Sequence, residues 1–362
     1  MASTYCVIMA GGIGSRFWPV STSEFPKQFH DILGTGKTLI QQTFHRLTRL
    51  TAADKILVVT HQRYAELVAE QLPEMPRENI ILEPARRNTA PCITYAAYRI
   101  KSMDPEANML VAPSDHLITG EPEFERITKL ALRTASEHPY LFTLGIKPHR
   151  PDTGYGYIQF TEQDQAADQE VKVVKTFTEK PGPEMAQQFL DSGDFLWNSG
   201  IFIWSVTTFL KELQEHQPEL KATFEQDATV YGTAREKAFM EQIYPSCRNE
   251  SIDYGLMEKS SQVFVIPADF GWSDLGTWGS LYGHAERDNN GNAIRGKKVL
   301  AYECHHNIVH LRDDKIAVLD GLEEYIVIDT PQALLVCRKE NEQYIKSYVN
   351  EVKLQFGDKT GI

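Results

Sequence analysis

The sequence predicts an α/β protein in which a mainly parallel mixed sheet is followed by a small β-rich second domain. Over the first half of the chain, short apolar runs alternate with longer helix-like segments, which is typical of a sheet covered by helices. From about Gly296 the pattern changes to closely spaced short strands. A length of 362 residues suits one large α/β domain with a smaller appendage.

The first half of the chain contains five predicted strands, with predicted helices between them. The strands are Tyr5–Ala10, Ile56–Thr60, Ile80–Leu82, Met109–Ala112 and Leu141–Gly145, and the helices include Gln62–Leu72 and Thr89–Ser102. Ligands of such sheets bind beyond the carboxyl ends of the strands. Motifs that directly follow a strand are therefore the first candidates for function.

The C-terminal part of the chain is predicted to form five short strands and a closing helix. These are Lys298–Tyr302, Asn307–Leu311, Lys315–Leu319, Tyr325–Asp329 and Leu334–Arg338, followed by the helix Glu340–Leu354. The polar, turn-rich stretch Glu286–Arg295 separates the two patterns. We therefore predict domains at residues 1–285 and 286–362.

Composition narrows the class of protein. A hydrophobic fraction of 42% and a charged fraction of 24% indicate an ordinary folded protein. The net charge of −12 disfavours a nucleic-acid or anionic-membrane surface but allows a local phosphate pocket. The five cysteines are scattered without a CxxC pair, which predicts reduced thiols and a cytoplasmic protein. We find no export signal and no apolar run of membrane-spanning length. Together with the negative charge, this leads us to expect neither a nucleic acid nor a membrane as partner.

A glycine-rich segment follows the first predicted strand and contains Gly11, Gly12 and Gly14. Glycines there let backbone N–H groups approach a phosphate or a base without hindrance from a Cβ atom. Two cations, Arg16 and Lys27, follow closely, and this pair suits a triphosphate whose pyrophosphate must leave. For the glycines alone, a tight turn with surface cations is an equally good interpretation.

Two familiar nucleotide motifs are absent from this region. A dinucleotide-binding fingerprint would need a last glycine where the chain has Phe17, which disfavours an NAD enzyme. A P-loop ending in Gly36-Lys37-Thr38 would need an earlier glycine where the chain has Asp31. We interpret Leu33–Lys37 as a turn before a helix.

Taken together, Gly11–Phe29 resembles the signature of the nucleoside-diphosphate-hexose pyrophosphorylases. Its ending, Pro26-Lys27-Gln28-Phe29, is similar to the mannose-1-phosphate guanylyltransferase branch of that family. Later segments agree with the family in order: Leu82–Pro84, Arg87–Pro91, Pro113–His116, Asp152–Ile158, Phe177–Pro181, Trp197–Phe202, Ser251–Tyr254 and Gly271–Gly276. The resemblance spans roughly residues 5 to 340.

The resemblance implies a fold and a reaction. The fold is a Rossmann-like, GT-A-type nucleotidyltransferase domain followed by a short, left-handed β-helix-like domain that often serves dimer contacts, so we expect a homodimer. The reaction is that of GTP with mannose 1-phosphate, which gives GDP-mannose and pyrophosphate with the help of Mg²⁺. Bifunctional relatives carry a phosphomannose isomerase module beyond this point, and since the chain stops at Ile362 we expect no isomerase activity.

Two carboxylates are predicted to hold the Mg²⁺ ion. Asp115 follows the apolar run Met109–Ala112, and Asp274 lies in a glycine-bounded turn after Val263–Ile266, so both are placed near strand ends. The family resemblance supports this pairing. In the same reaction, the two cations of the glycine-rich segment would stabilise the pyrophosphate leaving group.

By analogy with the family, a second group of residues binds mannose 1-phosphate. Lys180 should contact its phosphate, while Glu179, Asn198 and the backbone at Gly154 should hold sugar hydroxyls. Asp253 is a further candidate with a less defined role.

The nucleotide itself is expected near the carboxyl end of the third predicted strand. Asn88 and Thr89 begin a helix there and would lie near the base or ribose, with Gly11, Gly12 and Pro84 close by. Ser114, directly before Asp115 in a segment shared with the family, completes the predicted nucleotide-binding residues.

Each residue also has a purely structural interpretation. Asp115 could cap a turn, Glu179 and Lys180 could form a surface ion pair, and Asn198 could satisfy buried backbone groups. Two other functions remain open: the same chemistry on another hexose 1-phosphate or base, and a non-catalytic sensor that binds GTP or a nucleotide sugar. The set Arg16, Lys27, Asp115, Lys180 and Asp274 favours an enzyme.

Overall fold

The computed structural model describes residues 2–161 and 168–357, and these form two compact units. The first unit contains the chain up to Gly11, Thr43–Ser114 and Ile118–Trp272. The second contains Gly12–Gln42, Asp115–Leu117 and the chain from Ser273 onward. The division of the chain into domains at residues 1–285 and 286–362 stays a prediction.

The strands in chain order are β1 (Thr4–Met9), β2 (Ile56–His61), β3 (Ile80–Glu83), β4 (Asn108–Pro113), β5 (Leu117–Ile118), β6 (Leu141–Ile146), β7 (Gly156–Thr161), β8 (Lys172–Glu179), β9 (Phe195–Ser205), β10 (Val263–Ala268), β11 (Trp272–Ser273), β12 (Ala293–Arg295), β13 (Val299–Tyr302), β14 (Ile308–His310), β15 (Ala317–Asp320), β16 (Tyr325–Asp329) and β17 (Leu334–Arg338). The α-helices are α1 (Leu39–Leu47), α2 (Ala65–Gln71), α3 (Thr89–Met103), α4 (Glu121–Glu137), α5 (Pro183–Ser192), α6 (Val206–His216), α7 (Pro218–Glu225), α8 (Glu236–Ile243), α9 (Trp278–Tyr282) and α10 (Ile345–Phe356).

The first unit is built on a nine-stranded mixed sheet with the order β3-β2-β1-β4-β9-β6-β10-β8-β7. The half from β3 to β4 is parallel, and so is the pair of β6 and β10. Its central strands are continuous apolar runs because both faces are covered: Cys6, Val7 and Ile8 of β1 are fully buried. All five strands predicted in the first half of the chain are confirmed, with ends that differ by a residue or two.

Three strands of this sheet run antiparallel to their neighbours. The long strand β9 lies between β4 and β6, and β7 and β8 pair with each other at the far edge. The carboxyl ends of β1 and β3 lie on one edge of the sheet, so Gly11 and Glu83, which follow or end those strands, are neighbours.

The second unit contains the predicted β-rich region. Strands β12, β14 and β16 form one parallel ladder, β13 and β15 form another, and β17 pairs antiparallel with β16. Repeated parallel pairing of short strands that follow each other closely is the arrangement of a β-helix, so the predicted fold class is confirmed. The core includes Phe17 from the glycine-rich segment, Trp278 from α9, and Ile345 and Val349 from α10.

Two further findings concern segments singled out in the sequence. The segment Leu33–Lys37 is a turn before α1, as predicted, because the Asp31 carboxylate accepts hydrogen bonds from the backbone N–H groups of Thr35 and Gly36, both at 2.9 Å. Within the described residues, none of the helices combines the length and the apolar character that crossing a bilayer requires.

Candidate active site

The glycine-rich segment of the second unit folds back on itself around Lys27. Gly14 has a left-handed backbone with a φ of 71°, a conformation that glycine adopts without strain. The Lys27 backbone N–H donates to the carbonyl of Ile13 at 3.2 Å. The side-chain amide of Gln28 donates to the carbonyl of Gly12 at 3.1 Å. These hydrogen bonds within the protein fix the conformation of the glycine-rich segment.

The Lys27 ammonium makes three polar contacts inside the second unit. Its side chain is only 4% exposed. It lies 2.7 Å from Oδ2 of Asp115 and donates to the backbone carbonyls of Asp274 and Leu275 at 3.0 and 2.9 Å. An ammonium has three N–H donors, so all of them have protein acceptors. Lys27 therefore links the two carboxylate-bearing segments, and its expected contact with pyrophosphate would require the exchange of a present partner.

The two predicted metal ligands line the same cavity, which has a volume of about 340 Å³. Burial would raise the pKa of the Asp115 carboxyl, but the charges of Lys27 and His116 outweigh it and hold that pKa below its ordinary value. Oδ1 of Asp274 accepts the backbone N–H of Gly276 at 3.0 Å. The cavity is lined by Gly14, Ser15, Arg16, Lys27, Asp115, His116, Asp274, Gly276 and Lys346.

The predicted nucleotide residues of the first unit lie at the carboxyl ends of β1, β3 and β4. Asn88 is exposed and caps α3, since its side chain accepts the backbone N–H of Thr89 at 2.9 Å. The Thr89 hydroxyl accepts the backbone N–H of Ile252 at 2.8 Å. Ser114 is buried, and its N–H donates to the carbonyl of Met9 at 3.0 Å. These contacts give each residue a structural function, and their roles toward a nucleotide stay predictions.

A second polar cluster in the first unit contains the predicted sugar-binding residues Asn198 and Asp253. Nδ2 of Asn198 donates to Oδ1 of Asp253 at 2.9 Å. Its Oδ1 accepts from the hydroxyl of Thr143 at 2.8 Å and from the backbone N–H of Gly200 at 3.1 Å. Burial, and then the negative charge of Glu179, raise the pKa of Asp253 to about 6. The amide is therefore held in one orientation, with one N–H still available.

Glu179 and Lys180 form an ion pair, which is the structural alternative considered for them. Their exposure differs greatly: the Lys180 side chain is 59% exposed, and that of Glu179 is 10% exposed. Lys180 also has a positive φ of 48°, which is unusual for a residue with a side chain. In the nearby loop, the backbone N–H of Gly154 donates to Oδ1 of Asp152 at 2.8 Å, and Gly154 is exposed.

The structure also draws attention to residues that received no role from the sequence. Glu83 is buried beside Gly11, where a Cβ atom would lie 3.3 Å from its Oε2. Burial raises the pKa of Glu83 to about 7, and a hydrogen bond from the Tyr244 hydroxyl opposes that rise. A glutamate at the end of an apolar strand was the available signal. Thr143 and Lys346 gave no such signal, because only tertiary packing brings them to Asn198 and to the cavity of Asp115.

Comparison with known proteins agrees with this architecture. Residues 5–291 match the model of the Nucleotidyl transferase family, and residues 297–352 match the MannoseP isomerase/GMP-like beta-helix domain. A mannose-1-phosphate guanylyltransferase of Escherichia coli is 36% identical over 96% of this chain and 75% of its own length. One from Salmonella montevideo is 37% identical over 96% of this chain and 74% of its own.

A solved structure gives the same result at the level of the whole fold. A protein from Thermus thermophilus, named a mannose-1-phosphate geranyltransferase, superposes with a TM-score of 0.86 at 27% identity, and covers 97% of this chain and 99% of its own. The family model matches most of the chain, and the two relatives are 36% and 37% identical to it. These findings lead to one assignment. The chain is an enzyme of the nucleotidyl transferase family and belongs to its mannose-1-phosphate guanylyltransferase group.

Proposed function

We propose that this enzyme joins GTP and mannose 1-phosphate into GDP-mannose and releases pyrophosphate. The observation that carries the proposal is the cavity of the second unit, where the carboxylates of Asp115 and Asp274 lie with the cations Arg16 and Lys27. Carboxylates for a hard cation beside fixed positive charges are what a polyphosphate substrate requires. The choice of guanine and mannose rests on the names of the relatives.

In the proposed reaction the two substrates react directly with each other. A phosphate oxygen of mannose 1-phosphate attacks the α-phosphorus of GTP, the bond to the bridging α,β-oxygen breaks, and pyrophosphate leaves. Alignment of the reacting atoms and neutralisation of the spreading negative charge are the main contributions of the enzyme. No side chain needs to form a covalent intermediate.

Asp115 and Asp274 fit a divalent cation, and we infer that it is Mg²⁺. Both line one cavity, and carboxylate oxygens with substrate phosphates are the ligands that Mg²⁺ prefers. When bound, the ion would neutralise phosphate charge and act as a template. Lys27 keeps Asp115 ionised, and therefore ready to bind a cation, through the contact at 2.7 Å.

For mannose 1-phosphate we propose the polar cluster of the first unit. Asn198, with one N–H committed to Asp253, can donate its other N–H to a sugar hydroxyl. Glu179 and the exposed backbone of Gly154 are the further proposed sugar contacts. The Lys180 side chain is 59% exposed, so its ammonium is accessible to the sugar phosphate, which would take the place of its contact with Glu179.

For the nucleotide we propose Gly11, Gly12, Gly14, Pro84, Asn88, Thr89 and Ser114. The exposed backbone of Gly12 supports a close approach by a ligand, since apart from its chain neighbours no described residue lies within 4 Å of where its Cβ atom would be. Arg16 and Lys27 are assigned to the triphosphate. Lys27 already contacts three acceptors, so a direct contact with the triphosphate requires it to exchange one of them. Without that exchange, Lys27 acts indirectly, by holding Asp115 and the turn at Asp274 in place.

We further propose a homodimer in the cytoplasm. Leu300 and Val318 are paired in register on β13 and β15 and are 52% and 61% exposed, so two apolar side chains lie side by side at the surface of the second unit. A second copy of the chain is the partner we propose for that face. The five cysteines are all unpaired thiols, in agreement with a reducing compartment. Light scattering of the purified protein, with Val318→Glu as the disrupting variant, tests the dimer.

The proposed reaction is tested by pyrophosphate release with Mg²⁺, GTP and mannose 1-phosphate. Glucose 1-phosphate and the other nucleoside triphosphates serve as parallel substrates. Asp115→Ala should abolish release, whereas Asp313→Ala, which removes an exposed carboxylate of the same unit outside the cavity, should leave it unchanged. Release with a different sugar or base would change the substrates and keep the chemistry. If no combination releases pyrophosphate but GTP binds, the sensor function replaces the enzyme.

A further inference from the structure

We propose that Lys346, on the C-terminal helix α10, binds the pyrophosphate end of the nucleotide substrate, so that the β-helix domain supplies a cation to the active site. The inference rests on the proposed function, because it takes the cavity of Asp115 and Asp274 as the polyphosphate site. Lys346 lies outside every segment that resembles the family signature and lines that cavity together with Arg16.

The packing of α10 explains how a residue so late in the chain reaches this cavity. Ile345 and Val349 are one helical turn apart on the buried face of α10 and belong to the same apolar cluster as Phe17. Phe17 directly follows Arg16, and Ile345 directly precedes Lys346. Burial of the two apolar side chains in one cluster therefore brings the two adjoining cations to one cavity.

The base of α10 is held by further contacts within the second unit. The backbone N–H of Gly279 donates to Oε2 of Glu342 at 2.7 Å, in the turn that precedes α10. The ring of Phe17 packs against the ring of Trp278, with centroids 4.9 Å apart. The start of α10 and Phe17 of the glycine-rich segment are thus both held next to α9.

The distribution of charge in the cavity gives Lys346 its function. Lys27 directs its three N–H donors at Asp115 and two backbone carbonyls. In the described part of the chain, neither Arg16 nor Lys346 has a carboxylate within 4.0 Å, and both are exposed. These two are the cations of the cavity that can meet a pyrophosphate group without giving up a present partner. A charged N–H donor on a phosphate oxygen forms one of the stronger hydrogen bonds.

The test compares the KM values of the two substrates in each direction of the reaction. In the reverse direction, pyrophosphate and GDP-mannose are the substrates, so Lys346→Gln should raise the KM for pyrophosphate about tenfold or more and leave the KM for GDP-mannose unchanged. In the forward direction, the KM for GTP should rise and that for mannose 1-phosphate should not. Lys346→Arg, which keeps the charge, should retain most of the pyrophosphate affinity.

Lys353→Gln is the matched control, because it makes the same charge change on the same helix outside the cavity. Its KM values should equal those of the unaltered enzyme, and thermal melting should show all three variants folded. Unchanged constants for GTP and pyrophosphate in Lys346→Gln would overturn the inference while the activity of the unaltered enzyme upholds the proposed function.

Calorimetric titration with inorganic pyrophosphate and Mg²⁺ provides a readout that does not need turnover. Loss of about tenfold in affinity in Lys346→Gln alone would support the inference even if the substrates of the enzyme were not GTP and mannose 1-phosphate. Equal affinity in both proteins, or no binding by the unaltered enzyme, would reject it.

Discussion

Gly14 and Lys27 are packed so tightly that a Cβ atom built on Gly14 would lie 2.5 Å from the Cβ atom of Lys27. The same glycine has a φ of 71°, so steric crowding and backbone conformation both exclude a side chain there. The absence of a side chain at Gly14 thus allows the buried position of Lys27.

Replacement of this glycine should therefore disturb the protein before any substrate binds. Gly14→Ala should lower the free energy of unfolding by roughly 1–3 kcal/mol, from the left-handed backbone and from displacement of Lys27. Urea unfolding measures this. Gly12→Ala is the control for stability, since among the described residues only its chain neighbours come within 4 Å of the added Cβ atom. Equal loss in both variants would mean that the glycines matter for the loop in general and not for contact with Lys27.

Lys27→Met should reduce the rate of chemistry far more than the affinity for GTP. Removal of the ammonium deprives Asp115 of its countercharge and leaves two backbone carbonyls without their donor. We expect kcat to fall by at least about 100-fold. Equilibrium binding of GTP should change only a few fold. Lys37→Met, at an exposed lysine of the turn before α1, controls for the loss of one charge. A GTP affinity that falls as far as kcat would show that Lys27 contacts the bound nucleotide directly.

Asp253 should make stability depend on pH in a direction opposite to most carboxylates. Its pKa in the folded protein is about 6, above the ordinary 3.8, so the folded state holds this proton more tightly than the unfolded chain. The free energy of unfolding that depends on this group therefore falls as the pH rises from about 4 to about 6. Asp253→Asn should then stabilise the protein by roughly 1–3 kcal/mol at about pH 7.5 and by little at about pH 4.

Denaturant unfolding at both pH values checks this expectation. Asp269→Asn, at an exposed aspartate of the same unit, should show no comparable difference. The KM for mannose 1-phosphate should rise in Asp253→Asn if the residue also belongs to the sugar site. A stabilisation equal at the two pH values would contradict the raised pKa.

Removal of divalent cations should abolish pyrophosphate release, and added Mg²⁺ should restore it. Asp274→Asn should raise the Mg²⁺ concentration for half-maximal rate at least about tenfold, because an amide oxygen is a weaker ligand than a carboxylate. The exposed Asp314, changed to Asn, is the matched control. Unchanged Mg²⁺ dependence in Asp274→Asn would remove this residue from the metal site.

The parts of the fold that the sequence predicted are those with continuous apolar runs. The strands β1, β2 and β4 are buried on both faces, so their residue pattern indicates them directly. The antiparallel strands β7 and β8 are only partly buried and show no regular alternation of buried and exposed residues, and no strand was predicted there. Their pairing depends on neighbours distant in the chain, which a local pattern does not contain.

Some residues of the candidate site could also be predicted from the sequence, and others could not. Residues in short motifs, such as Arg16, Lys27 and Asp115, could be named because glycines and prolines mark the loops that hold them. The carbonyl of Leu275, the Thr143 hydroxyl and Lys346 could not. Each acts through a position fixed by packing of remote segments, and its residue type is common elsewhere in the chain.

The second unit is assembled from three stretches of chain that are made at very different times. Gly12–Gln42 leaves the ribosome early, Asp115–Leu117 follows much later, and the segment from Ser273 comes last. Until that last segment is synthesised, Phe17 lacks Trp278 and Ile345, and Lys27 lacks two of its three acceptors. A nascent chain that ends before Ser273 therefore lacks contacts that fix the glycine-rich segment. The candidate site is completed by contacts between residues far apart in the chain, so it cannot form before this third stretch has been synthesised.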